Sequence, residues 1–294
     1  MGNVRSRQRR SLRKMWKAST WTTLLRHCFL LIAAGTVILP VVWVLLMSFR
    51  TKFDLIRIPP TFVPRVWTLD NYRILFTGEV GLMDFYFNSV VIAVVVVPIV
   101  VFVTCMAGYG FAKLEFPGRD GIFWVLVSTI FLPLMFPRLF TIFEMTWALD
   151  LIDTRLGLIL PYLSMGIVPY TFIMRGIFME IPKELEDAAR IDGCSRFGVL
   201  VRIVLPLAAS GAIMVAVLCF LGVWGEFLYA ATLTYKHGTT LPVALALTTS
   251  EQYGDTVMTT LATAYVVAII PPLAVYLGLN RWFRAGMSRG ALKF

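Results

Sequence analysis

FYFNSVVIAVVVVPIVVFVTCMAGYGFA, Phe85 to Ala112, runs for 28 residues without an aspartate, glutamate, lysine or arginine. As an α-helix it would extend about 42 Å, more than the roughly 30 Å hydrocarbon core of a bilayer. Its apolar residues occupy every face rather than one stripe, so no side is left for water. Hydrocarbon offers no partners for loose backbone groups, which requires a helix. The run does not alternate polar and apolar residues, which excludes a membrane barrel strand. Five further stretches read the same way: His27–Phe49, Gly121–Pro137 (extendable past Arg138 to Phe143), Leu156–Met174, Ile203–Gly225 (extendable past Glu226) and Thr256–Asn280. The expected fold is all-α, a polytopic bundle of six transmembrane helices.

The composition agrees. Of 294 residues, 58% are hydrophobic and only 15% charged, against roughly 25% charged in a soluble domain. Mean hydropathy is +0.78. A soluble fold of this length has too little interior for so much apolar surface, and a disordered chain is excluded by the same numbers. The four cysteines, Cys28, Cys105, Cys194 and Cys219, form no CxxC pair, and the two histidines, His27 and His237, stand far apart. Small buried hydrophobes are expected, not disulfides, and no metal site is visible. MGNVRS at the start fits the myristoylation pattern. A chain that already spans the membrane gains little from one acyl chain, so the match reads as coincidence.

Charge sets the expected orientation. The chain carries a net +10. Tail 1–26, loop 112–120, segment 180–202 and tail 281–294 hold 18 lysines and arginines. Segments 50–84, 144–155 and 234–255 hold 7. The positive-inside rule then places both termini in the cytoplasm. These charges sit between apolar runs and read as topology signals, so no nucleic-acid partner is expected. The layout is a basic cytoplasmic tail 1–26, a six-span domain 27–284 and a C-terminal tail 285–294. Loop 50–84 is expected to lie against the bilayer surface, with Trp67 and Tyr72 at the interface. Prolines 40, 98, 133, 137, 161, 169, 271 and 272 fall in the spans. They fit either broken, cavity-lining helices or simple tolerance of proline in membranes.

Between the fourth and fifth spans lies IPKELEDAARIDGCSRFGVLVRIVLPL, Ile181 to Leu207. Pro182 suits a first helical position, and Glu184, Glu186 and Asp187 suit a positive helix end. Gly193 suits a left-handed stop. The spacing predicts a helix over Lys183–Asp192, about 15 Å long. Leu185, Ala188 and Ala189 make one narrow apolar stripe, with Ile181 a turn earlier. A helix this short needs something to dock on. Its own bundle or lipid headgroups would serve, and so would a groove on a cytoplasmic partner.

Asp187-Ala188-Ala189, Gly193 and Ile203-Val204-Leu205-Pro206 keep the spacing E-A-A-x3-G-x9-I-x-L-P, with Asp187 in the glutamate position. In this the chain resembles the permeases of ABC importers. Arg175-Gly176-Ile177-Phe178, Trp224-Gly225-Glu226-Phe227, Thr240-Leu241-Pro242 and Gly286–Lys293 resemble the maltose-type carbohydrate branch, its smaller inner-membrane permease subunit. Gly225, Asn280 and Phe294 depart from that branch. The resemblance implies a multi-pass protein of a bacterial or archaeal inner membrane. It implies a second homologous permease, two copies of an ATP-binding subunit and an extracytoplasmic solute-binding protein. It also implies that Glu184, Leu185, Glu186, Asp187, Ala188, Ala189, Asp192, Gly193, Ile203, Leu205 and Pro206 form the coupling loop, 180–206, that meets the ATPase. This chain has no G-x-x-x-x-G-K-[ST] run. It therefore binds no cofactor by that loop, and ATP with Mg belongs on the partner. No catalytic cluster is visible, so the chain is expected not to be an enzyme.

Glu226 is the one acid inside a late span, and an intramembrane carboxylate is a functional candidate. With Trp224 and Tyr229 it would offer a sugar ring an aromatic face and a polar acceptor. It would equally fit near the outer end of span five, paired with Arg138. Asn88 joins the solute-path candidates, with a helix-packing hydrogen bond as its plainer role. Arg138 would need Glu144, Asp150 or headgroups. Arg175 would snorkel or pair with the coupling-loop acids. The apolar stretch Leu241–Leu247 is too short to span; it would lie in the interface or reach the path mouth or binding protein. The alternative function is an ion-driven secondary transporter for a small polar solute, a class that usually carries acids in several spans.

Overall fold

The computed structural model describes residues 2–55, 58, 61–77, 82–132, 135–248 and 257–291, with side chains from residue 21 to residue 279 other than 135 and 257. The chain runs through α1 (Gly2–Ser48), α2 (Lys52–Leu55), α3 (Asp70–Phe76), α4 (Leu82–Lys113), α5 (Arg119–Phe131), α6 (Met135–Ala148) and α7 (Arg155–Met179). It continues through α8 (Lys183–Ile191), α9 (Arg196–Val199), a π turn at Leu200–Val204, α10 (Leu205–Leu207), α11 (Ala209–Trp224), α12 (Leu228–Leu233), α13 (Leu241–Thr248) and α14 (Val257–Ala291). Among the described residues the β pairing amounts to one isolated bridge, Arg50 with Trp67. The fold is all-α, as the apolar runs require.

Trp21–Ser48, α4, α7 and Met258–Leu279 are each long and apolar enough to cross a membrane. Two bent pairs bring the total to as many as six: α5 with α6 at 102°, and Arg196–Leu207 with α11 at 73°. The six expected spans are thus met if each bent pair is one span, and two of them are broken. At the first break Leu132 is extended, with ψ at 130°, the conformation that a following proline favours. Pro133 itself lies outside the described residues. At the second, the Leu205 N–H reaches back five residues to the Leu200 carbonyl. Pro206 follows at once, with no N–H to give and a ring that crowds the carbonyl four residues back. By contrast Pro40, Pro98, Pro161, Pro169, Pro271 and Pro272 sit within continuous helices.

The core is built on α4 and α7, the most extensive helix pair. Gly108 allows their approach: a Cβ there would lie 2.7 Å from the Met174 Cβ and 3.0 Å from the Arg175 nitrogen. Val96, Val100 and Leu158 are fully buried in one half of this seam, Met174 and Phe178 in the other. Helix α11 closes against α4, α7 and α14, and α1 packs on α14. On the rest of α1, Phe29, Leu30, Leu31 and Ile32 are exposed, an apolar face suited to hydrocarbon.

Tyr72, expected at an interface, is half-buried and its hydroxyl bonds Ser48 Oγ at 2.8 Å. Trp67 is exposed, beside the Phe49 ring. The stretch Leu241–Leu247 does not lie along the outer surface. As α13 it is tucked against α4 and α14, with Leu241, Val243, Ala244 and Leu245 buried.

Candidate coupling face and solute path

Helix α8 starts after Pro182, which serves as the N-cap rather than the first helical residue, and ends at Ile191 with Asp192 as its C-cap. Gly193 is left-handed, at φ +87°. Its N–H donates to the Arg190 carbonyl and the Cys194 N–H to the Ala189 carbonyl, both at 3.0 Å. That is the paired closure that a left-handed glycine permits. Ser195 then caps the next turn, accepting from the Gly198 N–H at 3.1 Å.

The helix sits on the bundle in an unexpected register. Ala189 is buried among Tyr109, Phe178, Val199 and Leu200. Glu186 is buried with it, only 2% exposed. Leu185 and Ala188 face outward instead, with Ile191 86% exposed beside them. The predicted apolar stripe is therefore divided, because a charge is buried in its place. Lys113, at the end of α4, makes that burial possible: its Nζ lies 3.0 Å from Glu186 Oε1 and donates to the Ile181 carbonyl at 2.6 Å. The Tyr109 hydroxyl donates to Glu186 Oε2 at 3.2 Å. Glu184, Asp187, Asp192 and Gly193 remain exposed. Ile203 and Leu205 are half-buried and Pro206 exposed at the bend. A polar cleft of about 520 Å³ runs beside α8, lined among others by Lys113, Lys183, Glu186 and Arg190.

Arg175 turns away from the coupling-loop acids. Its guanidinium stacks 4.0 Å from the Phe123 ring centroid, with one nitrogen 3.7 Å from Asp120 Oδ1. Arg119 sits on the same carboxylate, its Nε donating to Asp120 Oδ1 at 3.1 Å.

Glu226 follows the end of α11 and caps α12. Its carboxylate accepts from the Tyr229 and Ala230 N–H groups at 2.8 and 3.1 Å, and from the Tyr162 hydroxyl at 2.6 Å. With Tyr162, Met165, Gly166, Tyr170 and Cys219 it lines a recess of about 140 Å³. The structure separates Glu226 from Trp224. That indole donates to the Ala268 carbonyl at 3.2 Å and packs on Phe220 and Tyr86, on the α14 side. Tyr229 is buried and meets Glu226 through its backbone. The aromatic partner of Glu226 is Tyr162, with Tyr170 in the wall of the same recess, and the sequence reading missed both. Tyr162-x3-Gly166-x3-Tyr170 is a one-face ladder on α7 and was the available signal. Arg138 donates to Ser164 Oγ at 2.8 Å rather than to an acid.

Asn88, a solute-path candidate whose plainer expected role is a packing hydrogen bond, is buried with its amide fully engaged. Its amide donates to the His237 and Thr239 carbonyls at 2.8 and 2.9 Å, and its oxygen accepts from Arg155 at 2.7 Å. Next to it Ser89 Oγ accepts from the Leu241 N–H. The same loop closes over Asp153, which the sequence reading did not single out. Its carboxylate accepts the N–H groups of Tyr235, Lys236, His237 and Gly238 at 2.9–3.1 Å. Burial pushes this carboxyl up, but the four donors outweigh it and hold it at about 2. Among the described residues no cluster of histidine, cysteine or acid suits a metal ion.

Residues 75–289 match the family of binding-protein-dependent transport system inner membrane components. The chain belongs to this family. It is similar to the diacetylchitobiose uptake system permease protein NgcG of Streptomyces coelicolor, with 30% identity covering 91% of this chain and 88% of that protein. It is also similar to the trehalose transport system permease protein SugB of Mycobacterium tuberculosis, with 32% identity covering 89% and 94%. The fold matches a bacterial ABC transporter involved in import of the acidic polysaccharide alginate, with a TM-score of 0.74, 22% identity, and coverage of 88% and 95%.

The chain is therefore a multi-pass permease subunit of an ABC importer, not an enzyme, and the ATPase is a separate subunit. Such a permease works with a solute-binding protein and a second permease. The ion-driven alternative is not favoured.

Proposed function

We propose that this permease forms one half of a carbohydrate import path and that the outward face of α8 seats in a groove of a cytoplasmic ATPase. One observation carries the reading. Leu185, Ala188 and Ile191 are exposed on a helix whose other face is locked to its own bundle. Small and apolar at the centre, with Glu184, Asp187 and Asp192 around it, this face suits a helix-in-groove contact. Two ATPase copies would serve the paired permeases, each binding ATP with Mg. Closure of the pair would draw the α8 helices together and turn the path outward; hydrolysis would reset it. The half-buried Ile203 and Leu205 and the bend at Pro206 would carry α8's movement toward α11. Residues 27–284 then form the permease domain, in an inner membrane, with tails 1–26 and 285–294 in the cytoplasm. The excess of 18 basic residues against 7 supports that orientation.

The solute class is supported by the diacetylchitobiose and trehalose systems of the relatives. The recess at Glu226, about 140 Å³, is smaller than the roughly 300 Å³ at which ligand pockets begin. A sugar would fit only once the second permease completes the wall, with Glu226, Tyr162 and Tyr170 on this side. Trp224 and Tyr229 would support that wall from behind.

The test is reconstitution with both permeases, the ATPase and the binding protein. Trehalose or diacetylchitobiose uptake, driven by ATP and blocked by vanadate, is the expected result. Ala188→Glu should lower uptake at least about tenfold while the protein stays in the membrane. Uptake by the permease alone under a proton gradient would contradict the proposal.

A further inference from the structure

Of the acids on and around α8, Glu184, Asp187 and Asp192 are exposed and Glu186 alone is buried. A buried carboxylate is costly unless a charge and hydrogen bonds meet it. Here both do. The Lys113 side chain is 10% exposed and that of Glu186 3%, with 3.0 Å between them. Tyr109 lies four residues before Lys113, on the same face of α4, and takes the second carboxylate oxygen at 3.2 Å. The Lys113 ammonium also holds the Ile181 carbonyl at 2.6 Å, immediately before α8 begins. Two side chains one turn apart on α4 thus grip the start and the middle of α8. The Tyr109 ring is itself fixed edge-on against Phe178, with centroids 6.0 Å apart.

We propose that Lys113 and Tyr109 are positioning residues, which latch Glu186 and so fix the orientation of the coupling helix on α4. Nine residues make too short a helix to hold its own direction. Apolar packing through Ala189 alone would let α8 roll or slide. An ion pair and two hydrogen bonds to one 32-residue helix do not. A push on the outward face is then delivered to α4 rather than lost in the loops at 180–182 and 192–195. At its far end α4 grips the 237–241 loop through Asn88 and Ser89. The latch gives Glu186 a task different from that of Asp187, its neighbour in the coupling motif: Glu186 faces the permease and Asp187 faces away. This inference rests on α8 being the ATPase-facing element.

The experiment places a nitroxide on Ile191→Cys in a permease whose native cysteines are alanine. The assembled permease pair is embedded in nanodiscs, first without the ATPase. Lys113→Met and Glu186→Gln should each shorten the rotational correlation time of the label by about threefold or more. Tyr109→Phe keeps the ring and loses one bond, so it should act in the same direction by less. It also keeps the question open to measurement if a charge variant does not assemble. The exchange Lys113→Glu with Glu186→Lys should recover most of the rigidity, which loss of general packing would not do. Unchanged label motion in Tyr109→Phe and in every charge variant that assembles would overturn the latch, as would an exchange no more rigid than the single variants. Adding the ATPase with MgATP separates the two readings. If the wild-type label is not slowed further, α8 is not the docking face, whatever the latch does.

Discussion

The two ends of α4 are gripped in different ways. At the C-terminal end, the inner one in the proposed orientation, Lys113 and Tyr109 hold side chain to side chain, on a carboxylate 73 to 77 positions along the chain. At the N-terminal end, the outer one in that orientation, Asn88 and Ser89 hold backbone groups of a loop some 150 positions away, and Asp153 gathers four N–H groups of the same loop. A carboxylate pinned by an ammonium fixes a helix by its direction. A carboxylate or amide pinned to main chain fixes the path of a loop whatever its side chains are. On the proposed function, the inner grip would orient an element that the ATPase pushes, and the outer grip would keep a rim closed while the bundle beneath it moves.

The largest expected effect lies at the outer grip. Asp153→Ala would leave four N–H groups without their acceptor and should lower stability by about 3 kcal/mol, measured by denaturant unfolding in mixed micelles. The Asp153 carboxyl, held at about 2 against an ordinary 3.8, gives this effect a pH signature. Its contribution is fully present above about pH 4 and is lost as pH falls through about 2. The stability gap between the wild type and Asp153→Asn should therefore narrow over that window. A gap independent of pH would show that the charge is not what holds the loop. Asn88→Ala should cost about 2 kcal/mol and leave affinity for the transported sugar unchanged in equilibrium binding. A changed affinity would return Asn88 to the solute path. The smallest effect belongs to the inner end. Gly193→Ala places a side chain at φ +87° and should cost about 1 kcal/mol, read in the same unfolding assay.

The contrast also governs what could be read in advance. Apolar length and charge bias are local, so the spans and the interrupting polar helix were legible. So were the left-handed stop at Gly193 and the spacing from Asp187 to Pro206. The breaks at Leu132 and Pro206 were not, because six other prolines sit quietly in continuous helices. Whether a proline breaks a helix depends on what its neighbours satisfy. Periodicity places Leu185 with Ala189 on one apolar stripe. The buried face was decided instead by Lys113, distant in sequence and unreadable from α8. Glu226 stands out in the sequence as an acid in a late span, but nearness in sequence does not give its partners. Trp224 points to α14, and the hydroxyl that meets Glu226 belongs to Tyr162 on α7. Asp153 looked like an ordinary loop acid, since nothing in its neighbours announces a contact with residues 235–238.

The most direct measurement is thiol labelling of Ala188→Cys in the cysteine-free permease with a membrane-impermeant maleimide. The account predicts no labelling in intact cells. It predicts strong labelling in inside-out vesicles stripped of the ATPase, and protection once the ATPase is restored. Labelling from outside the cell, or equal labelling with and without the ATPase, would contradict it.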